Sequence, residues 1–170
     1  MILEVDRYFL EINSLKALKD SNIPNLICKL ELQNPPDFQL NKFFYKQIGK
    51  KHKWTDRLQW NDKKWIDYTN NSCVKTYVLR EKDDLIGYFE QIFDSEKKEC
   101  EIAYLGVLDN YIGKRFGGYL LSQAIKMSFL NDNIRTWVHT CTLDHKNALN
   151  NYKARGMKIF KTQRIKLNSS

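Results

Sequence analysis

The chain contains no Cys-x-x-Cys pair, no apolar run approaching the roughly 20 residues that cross a membrane, no internal repeat and no low-complexity tract. Its four cysteines, Cys28, Cys73, Cys100 and Cys141, are scattered, so neither a zinc site nor a disulfide framework is indicated and no metal is expected. Unpaired thiols suit a reducing cytoplasm. The opening MILEVDRYFLEI is charged at Glu4, Asp6 and Arg7 and does not read as a signal peptide; no membrane partner is expected. An RNP sequence, a zinc finger and a basic zipper are all missing, so no nucleic-acid partner is expected either. Also absent are the GxGxxG of dinucleotide-binding folds and the GxxxxGK[ST] of the P-loop.

What remains is enough for one domain spanning 1–170. At 170 residues, 42% of them hydrophobic and 13% aromatic, the chain can bury a real core and is not of disordered composition. The formal net charge of +8 either solubilises the surface or draws in a polyanion. The densest basic run, KQIGKKHK at Lys46–Lys53, reads as a solvated helix end.

Periodicity divides the chain. Met1–Ile12 and Leu26–Leu32 pattern as strands, and NPPD (Asn34–Asp37) as a turn. Leu40, Phe43, Phe44 and Ile48 recur at helical spacing over Phe38–Ile48. Trp54–Trp60 is irregular, and Asn61–Asn70 suits a short helix. Val74–Leu79, Leu85–Phe93 and Glu99–Val107 are β-branched and aromatic runs joined by charged links, as in an antiparallel meander. Gly117–Leu130 returns to helical spacing. Ile134–Thr140 follows as a strand, then Asp144–Arg155 as a helix capped by Asp144 and His145 and closed by Gly156, and Lys158–Ile165 as a last strand. A meander followed by β-α-β-α-β is an α/β chain whose mixed sheet is covered by helices.

The stretch NYIGKRFGGYLL (Asn110–Leu121) lies between the strand EIAYLGV and a helix. A basic, glycine-containing loop running into a helix start favours an anion, because free N–H groups and the positive end of the helix dipole meet there. Gly117 and Gly118 allow close backbone approach, and Lys114 and Arg115 add charge.

Three blocks, EIAYLGV, YIGKRFGGYLL and HKNALNNYKARGM (His145–Met157), together resemble the GNAT superfamily, which moves acyl groups from acyl-coenzyme A to amines. WTDR (Trp54–Arg57) and WVHTCTLDH (Trp137–His145) look like signatures of a bacterial branch of it. Aligned on Gly117, the Arg/Gln that opens the superfamily's pyrophosphate loop falls on Ile112, and its first glycine falls on Arg115. The resemblance implies a mostly antiparallel central sheet of six to seven strands, two of them parallel and splayed, flanked by about four helices. It also implies acetyl-coenzyme A as cosubstrate, a small-molecule amine as acceptor, and leaves a homodimer open.

Its implied cofactor residues are Leu105, Val107, Ile112, Gly113, Lys114, Arg115, Gly117, Gly118 and His145. Tyr152 matches the tyrosine beside the thioester sulfur, where a phenol can donate to the leaving thiolate. It equally fits an apolar stripe with Ala148 and Leu149. Glu101 is the candidate base, with Glu90, His139 or water as rivals. Trp54, Asp56 and Arg57 fall in the variable acceptor segment, where Asp56 would hold an ammonium and Arg57 a carboxylate; Glu90 and His139 would face them across the sheet. The other function classes these residues admit are a module that binds acyl-coenzyme A without turnover, favoured by Ile112 and Arg115, and a basic nucleic-acid-binding protein.

Overall fold

Seven strands form in the computed structural model, which describes residues 1–168. These are β1 (Ile2–Ile12), β2 (Cys28–Leu32), β3 (Val74–Glu81), β4 (Asp84–Asp94), β5 (Glu99–Val107), β6 (Arg135–Cys141) and β7 (Lys158–Asn168). Four α-helices connect them: α1 (Phe38–His52), α2 (Asp62–Thr69), α3 (Phe116–Ser128) and α4 (Ala148–Ala154). One sheet results, ordered β2-β3-β4-β5-β6-β1-β7. All neighbours are antiparallel except β5 and β6, which run parallel.

The sheet is in two parts. The meander β3-β4-β5 packs α3 and α4 on one face, through Phe89, Ile102, Leu120, Leu121 and Ile125. On the other face Val78 and Tyr88 receive Phe44 and Ile48 from α1. The helical stripe expected on α1 is buried at Phe44 and Ile48, but Phe43 is 39% exposed. In the second part, β1 is inserted between β6 and β7 and pairs antiparallel with both. Arg135 ties the parts together at one end, bonding Glu99 on β5 at 2.8 Å and Glu11 on β1 at 2.5 Å.

β5 and β6 pair only at Glu99/Arg135, Cys100/Thr136 and Glu101/Trp137. Two positions later β5 bulges. Tyr104 faces Glu90 and Ile102 faces Gln91, so Ala103 is an extra residue on β5. A bulge bends its strand and raises the local twist. Beyond Glu101, β5 therefore leaves β6 and the sheet opens.

Two helix boundaries differ most from the sequence pattern. α1 runs on to His52 and ends at Lys53 in a left-handed conformation, φ 54°. α4 begins only at Ala148, not at Asp144. The cause is Asp144, whose carboxylate accepts from the Thr140 hydroxyl, the Cys141 N–H and the Trp54 indole, and so does not cap the helix. Gly156 does close α4, at φ 101°, and a Cβ there would sit 2.1 Å from the Ala17 carbonyl oxygen.

Candidate active site

The opening between β5 and β6 is a cleft of 820 Å³. Its walls are Glu101 to Val107 on one side and Val138, His139 and Cys141 on the other, with the α3 start, the α4 start and the α1–α2 loop at its ends. Strand alternation sorts the lining onto two faces. Tyr152 and the α3 start lie with the α3/α4 core. Tyr104, Trp54 and Ile48 lie with α1 on the other face. The cleft joins the two through the sheet.

On the α3 side, Leu105, Val107, Ile112, Gly113, Arg115, Gly117, Gly118 and His145 all line the cleft, whereas Lys114 does not and instead lies 5.7 Å from the Tyr111 ring. No side chain caps the α3 N-terminus, so its first N–H groups have no side-chain acceptor. The two glycines differ in use. A Cβ on Gly117 would meet only Asn151, at 3.7 Å, so this one faces open space. A Cβ on Gly118 would fall 2.9 Å from both Arg155 and Ser21, so this one serves packing. Arg115, at the position of the superfamily's glycine, is left-handed at φ 69°. For a non-glycine residue that conformation costs on the order of 1 kcal/mol.

Tyr152 is 8% exposed, and its hydroxyl hydrogen-bonds to no other described residue. Burial, helped by Asp144, holds this phenol well above its ordinary pKa, so it remains a donor at neutral pH. Glu101 opens the splay on the α1 face. Burial raises its carboxyl above the usual range, while Arg57 pulls the other way.

The wall beneath α1 and α2 is a dense set of polar contacts, within which the Asn41 Oδ1 is buried without a partner. Arg57 Nη1 donates to Glu90 at 2.9 and 3.2 Å, with Arg57 5% exposed and Glu90 0%. Asn41 donates to the same carboxylate at 2.7 Å and to Thr76 at 2.8 Å, and the Tyr68 hydroxyl donates to Glu90 at 2.7 Å. The guanidinium also lies 4.2 Å from the Tyr68 ring, 4.4 Å from Tyr104 and 4.7 Å from Trp60. Burial opposes its charge, but Glu90, Tyr68 and Tyr104 together outweigh this and the pKa is raised. Arg57 and Glu90, expected as two acceptor ligands, are thus bonded to each other, and Glu90 does not line the cleft. Asp56 is not the partner of Arg57. It takes the Tyr45 hydroxyl at 3.0 Å and the Tyr104 hydroxyl at 2.6 and 2.7 Å, and remains exposed to the cleft. Trp54 donates to Asp144 at 3.0 Å and so pins the α1–α2 loop to the loop after β6.

His139 faces the cleft from β6. Burial, then the charge of Arg7, lowers its pKa. Cys141 beside it has a thiol pushed up by burial, which keeps it protonated. The sequence pattern did not single out Tyr104, Tyr45, Tyr68, Asn41 or Arg7. Tyr104 lay within a quoted motif, but only the bulge and the Asp56 contact reveal its place. Arg7 needed the position of β1.

The profile of the Acetyltransferase (GNAT) family matches residues 36–157. Among solved structures the chain is similar to an aminoglycoside acetyltransferase from an uncultured soil metagenomic sample, at 13% identity and TM-score 0.63, covering 76% of this chain and 87% of that one. It is also similar to a GCN5-related N-acetyltransferase from Kribbella flavida, at 13% identity and TM-score 0.66, covering 95% of this chain and 57% of that one. A GCN5-related N-acetyltransferase from Sphaerobacter thermophilus gives 13% identity and TM-score 0.69, covering 95% of this chain and 51% of that one. The chain thus spans little more than half the length of the last two proteins, and at such identities the likeness concerns the fold. No curated protein matches this chain. The family profile takes in the meander, the loop into α3 and the α4 tyrosine that together shape the cleft, and the chain belongs to the GNAT acetyltransferase family.

Proposed function

We propose that this chain transfers an acetyl group from acetyl-coenzyme A to the primary amine of a small-molecule acceptor, by direct attack on the thioester. One observation carries the reading. The opening between β5 and β6 links an uncapped helix N-terminus and a free tyrosine hydroxyl on one face to an acidic, aromatic-walled pocket on the other. The residues fit the cosubstrate. Gly117 leaves open space beside the α3 N-terminus, where a pyrophosphate would take its N–H groups.

When bound, acetyl-coenzyme A supplies an acyl group already activated as a thioester. The residues of the chain do the rest. Peptide N–H groups near Leu105 to Val107, which β6 does not pair, donate to the thioester oxygen as charge develops there. Glu101, directly or through water, accepts a proton from the acceptor's ammonium. As the C–N bond forms and the C–S bond breaks, Tyr152 donates to the departing sulfur. The coenzyme leaves as a thiol, and one proton is released to solvent. The four unpaired cysteines support a reducing, cytoplasmic setting.

A second reading, binding without turnover, is favoured by the loop. Ile112 carries no hydrogen-bonding side chain and is 40% exposed, and Arg115 holds a strained conformation. Two measurements separate the readings. Millimolar acetyl-coenzyme A should raise Tm, because a ligand for the folded state stabilises it by mass action, and Gly117→Asp should abolish the shift. Thiol release is then followed over a panel of amines. A Tm shift without release for any amine supports the binding module, and no shift removes both readings.

A further inference from the structure

At the acceptor end of the cleft, most charged groups have partners within the protein. Arg57 has Glu90, Asp56 has two tyrosines, and Asp144 has Trp54, Thr140 and the Cys141 N–H. Arg7 does not. It stands on β1, lines the cleft, and makes no ion pair or side-chain hydrogen bond among the described residues. Its Nε is buried without a partner. The carboxylates near it in sequence are committed elsewhere, Asp6 to Arg164, Glu11 to Arg135 and Glu4 to Lys166. A guanidinium with a buried, unanswered donor is unfavourable unless something else completes it.

Strand register gives its depth. β5 and β6 run parallel from Glu101/Trp137, so, allowing for the extra Ala103, Cys141 four residues on lies roughly level with Leu105 and Gly106. Arg7 is directly opposite Cys141 on β1, and Phe9 is opposite His139. Arg7, His139 and Cys141 therefore share the α1 face of the sheet, at the depth where the β5 peptide groups face the opening. Phe9 lies 5.7 Å from the His139 ring and 6.4 Å from Trp137, which makes an apolar platform on the same face of β1, two residues from Arg7. Across the cleft, Asp56 and Glu101 give the complementary charge. β1 lies outside the family match at 36–157, so this cation is contributed by a strand that the match does not include.

We propose that Arg7 is a specificity residue that binds a carboxylate on the acceptor, and that the acceptor is an amino acid, its ammonium turned to Asp56 and Glu101. This rests on the acyltransferase reading above. A planar guanidinium matches a carboxylate in a paired geometry that lysine does not reproduce.

The test uses matched pairs that differ only in the carboxylate: phenylalanine and phenethylamine, leucine and isoamylamine, lysine and cadaverine. With acetyl-coenzyme A, the wild-type chain should give a kcat/KM at least tenfold higher for the amino acid in one pair or more, through KM. In Arg7→Gln that ratio should fall to near one, and Arg7→Lys should restore only part of it. A second arm needs no turnover. N-acetylphenylalanine and N-acetylphenethylamine are titrated by tryptophan fluorescence into wild type and Arg7→Gln, and only the acid should lose affinity. Equal wild-type preference within every pair, or equal losses for both members in Arg7→Gln, would overturn the proposal. Failure of the acyltransferase reading looks different: acetyl-coenzyme A then leaves Tm unchanged in wild type and variant alike, while the fluorescence arm still reads Arg7.

Discussion

The two walls of the cleft carry similar residue types and use them in opposite ways. Under α1 and α2, Arg57, Glu90, Asn41 and Tyr68 bond to one another with only the Asn41 Oδ1 left buried without a partner, and Tyr45 and Tyr104 hold Asp56, whose carboxylate still faces the cleft. Along β6 and β1, Arg7 and His139 make no side-chain hydrogen bond among the described residues, and the Cys141 thiol has only the backbone of Leu143 and Asp144. Groups that answer each other hold a shape, whereas groups left open are available to a ligand. An arginine sequestered with a glutamate is wall, and an arginine that lines the cleft with a buried, empty donor is site. Residue type alone does not tell the two apart.

The comparison breaks most visibly at Glu90. Glu90→Ala should destabilise the fold by about 3–5 kcal/mol, because it leaves the Arg57 charge buried and alone. Arg7→Gln should stay within about 1 kcal/mol of wild type, since no protein partner is lost. Urea midpoints at constant m-value measure both. Similar losses in the two variants would erase the distinction between the walls.

Tyr152, on the α3 face of the cleft, tests whether an open hydroxyl means function. Tyr152→Phe keeps the ring and its packing and removes the donor. Turnover should drop roughly tenfold to a thousandfold, the range of general acids, with acetyl-coenzyme A affinity nearly unchanged. Full turnover would make this tyrosine a core residue only.

The smallest effect concerns His139. Its folded-state pKa is lowered, first by burial and then by Arg7, with Asp144 and Asp56 acting the other way. A group depressed on folding contributes its full stability above the unfolded value of about 6.5, and that contribution is lost as pH falls through the depressed value. Arg7→Gln should shift the imidazole titration part of the way back up, leaving the share due to burial, and should narrow the pH range over which stability is lost. An NMR titration of the ring protons reads this directly. An unmoved titration would place Arg7 out of electrical reach of His139 and weaken its position at the site.

The meander and α3 were legible because period-two and helical spacing are local, and the anion-binding loop because glycine and basic residues cluster beside a strand end. The α4 boundary was not. Asp144 looks like a cap, but Thr140 and Trp54 take its oxygens, and Trp54 is a partner from another part of the chain. Arg57 and Asp56 read as a ligand pair because they are neighbours in sequence, whereas their actual partners, Glu90 on β4 and Tyr104 on β5, come from distant strands. The extra residue Ala103 leaves no mark on the alternation of EIAYLGV. Arg7 carries no signal in the sequence, because a charge on a first strand has no assigned neighbour until the order of the sheet is known.

The position of β1 also sets a timetable. Ile12 finds its partner at Thr136, and Ile2 finds its partner at Asn168. At synthesis rates of about 5–20 residues per second, the first strand leaves the ribosome on the order of ten seconds before either neighbour exists. Through that interval both of its edges are open to pairing with other chains. The charges at Glu4, Asp6, Arg7 and Glu11 guard the strand while it waits. On this view Arg7 serves the nascent chain before it serves the folded one.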